Sequence, residues 1–170
     1  MVALLALVLI SCHSSGGSVD QRPVWLAEFT ESYVHVSIIL EPEGQGQAVL
    51  TATFTPTEPE AHLYSKDLPR DGINGLGRPT LLELPAGAWM QATGDLVESV
   101  SATPDSVAAD LPALPVYPAG AVTLTLPVLL PETGGSLVND QVLITYMACT
   151  PTGCHKPVLA KLVEVQVPGR

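Results

Sequence analysis

Alternation of apolar and polar residues with a period of two is the dominant pattern between residues 33 and 167. It is present in residues 33–40, 47–55, 80–84, 121–130, 140–149 and 158–167. In the second of these stretches Ala48, Leu50, Ala52 and Phe54 share one face, and the other is mostly threonine. In the last, Val163, Val165 and Val167 oppose Glu164 and Gln166. Successive side chains of an extended chain point to opposite sides, so this pattern buries one face of a sheet and leaves the other in water. Glu43-Gly44-Gln45-Gly46 predicts a hairpin connection between the first two stretches. The 14 Gly and 16 Pro disfavour long helices. About seven short strands with no long amphipathic segment predict an all-β chain, an antiparallel β-sandwich. The stretch from Gln91 to Gly120, rich in Ala, Pro, Ser and Asp, breaks the pattern. An excursion of that length is expected to be an insertion that is functional or mobile. Within it, Thr103-Pro104-Asp105 supplies an N-cap, a Pro at the first helical position and an acidic first turn, which predicts a short helix from Pro104 to Asp110.

Composition narrows the function classes. At 46% hydrophobic residues the chain is not a disordered acidic tail. Only 7 Lys plus Arg stand against 17 Asp plus Glu, a net charge of -10. That balance argues against nucleic acid as a partner, since its binders need a basic face. It argues equally against electrostatic docking on anionic lipid. No apolar run reaches the roughly 18 residues that a membrane-spanning helix requires. Residues 1–11 carry no charge, and Val2 to Ile10 is an unbroken apolar run. With Leu9-Ile10-Ser11-Cys12 and the Ser/Gly-rich residues after it, this start resembles a bacterial lipoprotein signal, without a Lys or Arg ahead of the run. The expected organisation is a signal peptide over residues 1–11, a lipidated Cys12 with a flexible tether to residue 22, and a folded domain over residues 23–170. An ordinary secretion signal and a buried N-terminal strand are the other readings. A lipidated chain would sit in the bacterial periplasm, anchored to an envelope membrane by its acyl chains alone, where disulfides can form.

Cys149 and Cys154 enclose Thr-Pro-Thr-Gly, at the mouth of a predicted hairpin. Three readings fit the spacing. As a structural staple, a loop this small contributes only about 2 kcal/mol, against about 4.7 kcal/mol for a hundred-residue loop. As a redox pair, it would cycle between dithiol and disulfide. His155 and Lys156 follow Cys154 directly, and neighbouring cations favour a reactive thiolate. As a metal site, Met147, Cys149, Cys154 and His155 offer thioether, thiolate and imidazole, a set suited to Cu(I) in a copper-binding envelope lipoprotein. Met147 shares a strand face with Cys149 and serves equally as packing.

The residues Val142-Leu-Ile-Thr-Tyr-Met-Ala-Cys149-Thr-Pro-Thr-Gly-Cys154-His-Lys-Pro157 resemble the active-site hairpin of the N-terminal periplasmic domain of the thiol:disulfide interchange protein DsbD. His62-Leu63-Tyr64-Ser65, the segment from Leu82 to Trp89 and the segment from Val116 to Pro127 are similar to further stretches of that domain, in the same order. Met147 stands where the family has Gln, and one Pro rather than two follows the second cysteine. The resemblance implies an immunoglobulin-like antiparallel β-sandwich with a cap-like insertion, in a free-standing lipoprotein version. It implies a redox-active Cys149–Cys154 pair, with Cys154 forming the mixed disulfides. It implies thioredoxin-like redox proteins and a membrane electron-transfer partner as partners, and no cofactor beyond the cysteines. The domain would take electrons from a membrane-linked thioredoxin-like donor and pass them to oxidised envelope proteins. The cap would lie within Gln91 to Gly120, whose apolar members are Leu96, Val97, Leu111, Leu114 and Tyr117.

Of the remaining residues, Tyr64 is expected either to tune the cysteine site through its hydroxyl or to fill the core. His62, two residues earlier on the same face, is a candidate local acid or base, or an exposed strand histidine. His35 is expected on the surface, and Trp25 and Trp89 in core or edge packing. The carboxylates are scattered, so hydrolase chemistry has no support. No serine-nucleophile or phosphate-binding glycine motif is present.

Overall fold

The computed structural model describes residues 22–105 and 112–170. The expected signal peptide, Cys12 and all of the expected tether except Arg22 lie outside the described residues. In chain order the first strands are β1 (Val24–Glu31), β2 (Val34–Gly44), β3 (Gln47–Pro56), β4 (His62–Leu63), β5 (Leu81–Glu83), β6 (Gln91–Ala92) and β7 (Val97–Glu98). They are followed by β8 (Thr103–Asp105), β9 (Leu114–Val116), β10 (Val122–Leu129), β11 (Leu137–Tyr146), β12 (Ala148–Thr150), β13 (Gly153–Cys154) and β14 (Val158–Pro168). Six of them are eight residues or longer and carry the sandwich; the other eight are pieces of two or three residues. All strand pairings are antiparallel among the described residues.

The first hairpin forms where the Gly-Gln-Gly spacing places it. Gly44 pairs with Gln47, and Gln45 and Gly46 between them have φ of 54° and 78°. Positive φ at both loop residues gives the turn whose twist matches that of the flanking strands. The larger sheet runs β1-β2-β3-β10-β6, with β7 also on β10; the second runs β14-β11-β5. Alternation decides which faces meet. Val34, Val36, Ile38 and Leu40 of β2 join Leu50 and Phe54 of β3 and Val122 and Leu124 of β10 in one apolar layer. Val142, Ile144 and Tyr146 of β11 and Val165 and Val167 of β14 face them from the second sheet. Phe54 and Tyr146 meet edge-on across the layers, with ring centroids 5.8 Å apart, a favoured aromatic geometry. On the wet face of the larger sheet, the Thr53 and Thr123 hydroxyls bond at 2.9 Å. The Tyr146 hydroxyl donates to the Glu31 carbonyl at 2.8 Å, which ties the second sheet to β1.

Four expectations are corrected. Thr103, Pro104 and Asp105 do not open a helix; they form β8 against β9, with Pro104 opposite Pro115. An edge strand tolerates a residue without an N–H, and that pairing wins over the capping pattern. The remainder of the expected helix lies outside the described residues. Of the core and edge readings for Trp25 and Trp89 the core one fails; they are 61% and 59% exposed, with Trp25 on the edge strand β1. His62 is half-buried rather than exposed. His35 is also half-buried, with Nδ1 3.2 Å from the Thr30 hydroxyl.

β1 was not among the alternating stretches. It is an edge strand with a register shift between Trp25 and Ala27, and both of its faces are only partly covered, so its pattern is blurred. The layer beneath gives a direct test. Phe54→Ala removes a fully buried ring and is expected to cost about 3–5 kcal/mol in urea denaturation. Leu162→Ala, on the outer face of β14, is expected to stay within about 0.5 kcal/mol of the parent chain.

Candidate functional site

β12 and β13 form a small hairpin in which Cys149 pairs with Cys154 and Thr150 with Gly153. Only Pro151 and Thr152 lie between the rungs. The Thr150 hydroxyl organises the turn, accepting the Thr152 N–H at 3.3 Å and donating to the Gly153 carbonyl at 3.2 Å. The two cysteine Cα atoms are 3.9 Å apart, and the sulfurs are joined in a disulfide. The bridge is asymmetric in access. Cys149 is 2% exposed, whereas Cys154, just past the turn in β13, is an exposed residue.

Tyr64 sits over this bridge. Its hydroxyl is 3.1 Å from Cys149 Sγ and 3.8 Å from Cys154 Sγ. Bridged sulfurs carry no proton, so the phenol is the donor. Burial, and next the Asp105 carboxylate, push the Tyr64 pKa above its ordinary value, which keeps the proton on the oxygen. The backbone of Tyr64 is fixed on both sides. Ser65 N–H donates to the Pro115 carbonyl at 2.9 Å, Tyr117 N–H donates to the Leu63 carbonyl at 2.8 Å, and the Thr80 hydroxyl donates to the Tyr64 carbonyl at 2.7 Å. Against the ring lies Gly77, at φ 72°; a Cβ there would come within 3.1 Å of Tyr64 Cε1.

A compact apolar cluster encloses the buried sulfur: Tyr64, Leu68, Leu114, Val116 and Cys149, flanked by Ile73 and Met147. Met147 therefore packs in the same cluster as Cys149. Two segments supply the cover. Leu68 and Ile73 come from the loop after Tyr64, whose residues carry no periodic pattern that would place them here. Leu114 and Val116 come from β9, inside the Gln91–Gly120 insertion. The rest of that insertion lies elsewhere: β6 and β7 pair with β10, Leu96 and Tyr117 pack on the main core, and Val97 is exposed. Leu111 lies outside the described residues.

His62 stands opposite Cys149 in the β4·β12 pairing, and its ring meets that of Tyr64 edge-on at 5.6 Å. Its Nε2 is buried without a hydrogen-bond partner. Burial lowers the His62 pKa, with Asp105 acting in the opposite direction. The neutral ring is thus favoured beside the sulfurs. His155, adjacent to Cys154 in sequence, turns to other partners. Its Nε2 is 2.7 Å from Glu58 Oε2, and its ring stacks on Tyr33 at 4.1 Å. A protonated His155 is therefore already paired with a carboxylate. Lys156 is exposed. Among the described residues, no three His, Cys, Asp or Glu side chains converge on a metal-sized site. Asp105, Glu58 and Tyr33 were not candidates on sequence, because each reaches the site from a separate strand or loop.

Two predictions follow from this geometry. A hydrogen bond to a thiolate is stronger than one to a neutral sulfur, so Tyr64→Phe is expected to raise the Cys149 thiol pKa in the reduced chain by about one unit. The pH dependence of alkylation of a Cys154→Ser variant measures it. The second concerns His62, whose ordinary pKa is 6.5. The folded chain holds that proton less readily than the unfolded chain, so stability falls as pH drops through the ordinary value and stops falling below the folded one. His62→Gln is expected to flatten the loss of stability between about pH 7 and pH 5, read by urea denaturation.

No protein-family model matches the chain. No curated protein matches it either. Among solved structures the chain is similar to the N-terminal domain of DsbD from Neisseria meningitidis in its reduced form. The identity is 14% and the TM-score 0.43, over 71% of this chain and 77% of that one.

Proposed function

We propose that this chain is a thiol–disulfide exchange module working through Cys149 and Cys154. One observation carries the reading: the disulfide joins an exposed residue, Cys154, to a buried one, Cys149, whose sulfur lies under a hydroxyl donor. Exchange requires an incoming thiolate to approach in line with the S–S bond and requires the departing sulfur to leave as a thiolate. Cys154 offers the accessible sulfur. Cys149 offers the leaving sulfur, with the Tyr64 O–H placed to stabilise its charge.

The reaction balances as a two-electron transfer. A partner thiolate attacks Cys154 Sγ, the bridge breaks, and Cys149 departs as a thiolate that takes up a proton from solvent. The partner's second thiol, once deprotonated, attacks its own sulfur in the mixed disulfide. That step releases Cys154 as a thiolate and leaves the partner oxidised. In the forward half-reaction the Cys154 thiolate attacks the disulfide of an acceptor. Cys149, after losing its proton, then resolves the mixed disulfide and restores the bridge. Apolar cover from Leu68, Leu114 and Val116 limits approach to Cys149, so traffic is directed through Cys154.

The hairpin motif supports thioredoxin-like proteins as partners, with a membrane-linked donor and oxidised envelope proteins as acceptors. The residues before and at Cys12 support placement in the bacterial periplasm on a lipid anchor. The reduction potential of the pair tests the exchange role, read by counting free thiols after equilibration in thiol buffers. An exchange protein is expected between roughly -180 and -270 mV, and a value below about -300 mV would mark a structural bridge. Trapping tests the assignment of sulfurs. Cys149→Ser leaves the exposed thiol and is expected to accumulate a mixed disulfide with a thioredoxin-like protein. Cys154→Ser, with only the buried thiol, is expected to accumulate several-fold less.

A further inference from the structure

The chain contains two tryptophans, and neither is in the core. Both line one surface groove of about 540 Å³, formed where the start of β1 and the loop after β5 meet the outer face of β11 and β14. That volume falls inside the range of roughly 300–1,000 Å³ usual for small-ligand sites. The groove is away from the cysteine hairpin: Gln141 precedes Cys149 by roughly 25 Å of extended chain.

Large indoles at 61% and 59% exposure are unusual, since tryptophan is mostly buried on average. Here the fold holds one of them in place with a buried charge. Asp140 is 4% exposed, and its carboxylate accepts the backbone N–H groups of Trp89 at 3.0 Å, Met90 at 2.8 Å and Gln141 at 2.9 Å. Met90 beneath is buried in the main core. The Trp89 backbone is thus clamped between a carboxylate and a core anchor while its ring stays in water. Burying a carboxylate costs several kcal/mol unless hydrogen bonds compensate, and these bonds fix a loop whose outward feature is an indole. The other aromatic wall, Trp25, stands at the register shift of β1.

Besides the indoles and a few small or aliphatic residues, the lining is polar. Asn139 pairs with Gln166 and Gln141 with Glu164 across the β11·β14 ladder, and Gln166 Nε2 donates to Asn139 Oδ1 at 3.1 Å. Carboxamides present both a donor and an acceptor, and a carboxylate presents two acceptors. A lining of this kind suits a ligand with many hydroxyls. An indole face suits the C–H surface of a pyranose ring, which is apolar on its flat side and polar at its rim. Glu164, with the net charge of -10, disfavours anionic ligands. We propose that the Trp25–Trp89 groove binds an uncharged glycan, with the indoles stacking on sugar rings and Asn139, Gln141, Glu164 and Gln166 bonding their hydroxyls. This proposal does not rest on the redox reading.

The test exploits the location of both tryptophans. Intrinsic fluorescence of the full chain, excited at the red edge where tyrosine does not absorb, reports on this groove. Titration with the neutral hexasaccharides of β-linked N-acetylglucosamine and of β-linked glucose is expected to give a saturable change with at least one of them. Calorimetry with the same sugar is expected to show affinity falling about tenfold or more in Trp25→Ala and in Trp89→Ala. Both residues are exposed, so these variants keep the core intact. Glu164→Gln is expected to weaken binding less than either. Absence of a saturable response to both sugars overturns the proposal. So does binding that survives both tryptophan substitutions. A response to tetramethylammonium with none to the sugars overturns it in favour of a cation-binding aromatic site.

Discussion

The two-residue strand His62–Leu63 holds the functional end of the molecule together. On one side it pairs with Ala148 and Cys149, and on the other Leu63 accepts the Tyr117 N–H just past β9. Tyr64 follows immediately, flanked by Val116 and Pro79. Through these few rungs a chain excursion, a cysteine hairpin and a loop are all referred to one backbone position. A hairpin as small as β12–β13 is marginal by itself. Its placement over Tyr64 comes from this pairing and from the apolar cluster around Cys149. The disulfide then lies in a rigid setting on its buried side and an open one on its exposed side.

That difference in surroundings decides the chemistry. A symmetric, fully buried bridge is inert because no thiolate reaches it. A fully exposed bridge reacts with any thiol. Here the two sulfurs are adjacent across a strand rung, yet one has the surroundings of a core residue and the other those of a turn. The Tyr64 hydroxyl lies nearer the buried sulfur, where charge develops when the exposed one is attacked. Its raised pKa keeps it a donor throughout. The neutral His62 beside it adds no positive charge, and His155 is engaged by Glu58. The polar group resting on Cys149 Sγ is thus the Tyr64 hydroxyl, with no cation beside it among these neighbours.

Much of the sandwich was legible in the sequence because alternation is a direct image of burial. Val163, Val165 and Val167 read as buried and are; Glu164 and Gln166 read as wet and are. The hairpin at Gly44 to Gly46 was legible because glycine takes the positive φ found at Gly44 and Gly46 without steric cost. Cys149 and Cys154 were legible as a pair from spacing alone. The cover of Cys149 was not. Leu68 and Ile73 lie in an irregular loop with no period to read, and their position depends on a close approach of Gly77 to Tyr64. The helix expected after Thr103 failed because a local capping pattern competes with a sheet partner at Leu114–Val116, and only tertiary pairing decides between them. The exposed reading of His62 failed for a related reason. Alternation assigns a face but cannot say whether a neighbouring strand or loop covers it.

The exposed tryptophans bear on how the molecule divides its work. β11 passes from the groove at Asn139 to the edge of the cysteine hairpin at Tyr146, so one strand serves both ends. Its inward residues, Val142, Ile144 and Tyr146, are fully buried between the sheets. A core packed to that degree resists small displacements, which favours two independent surfaces over a coupled pair. Coupling would need an element with two arrangements that both ends bias. Around β11 the strongest constraints, the Asp140 carboxylate on the Trp89 loop and the Tyr146 hydroxyl on Glu31, each act within their own end. The sandwich therefore separates the Trp25–Trp89 groove at one end from the Cys149–Cys154 disulfide at the other.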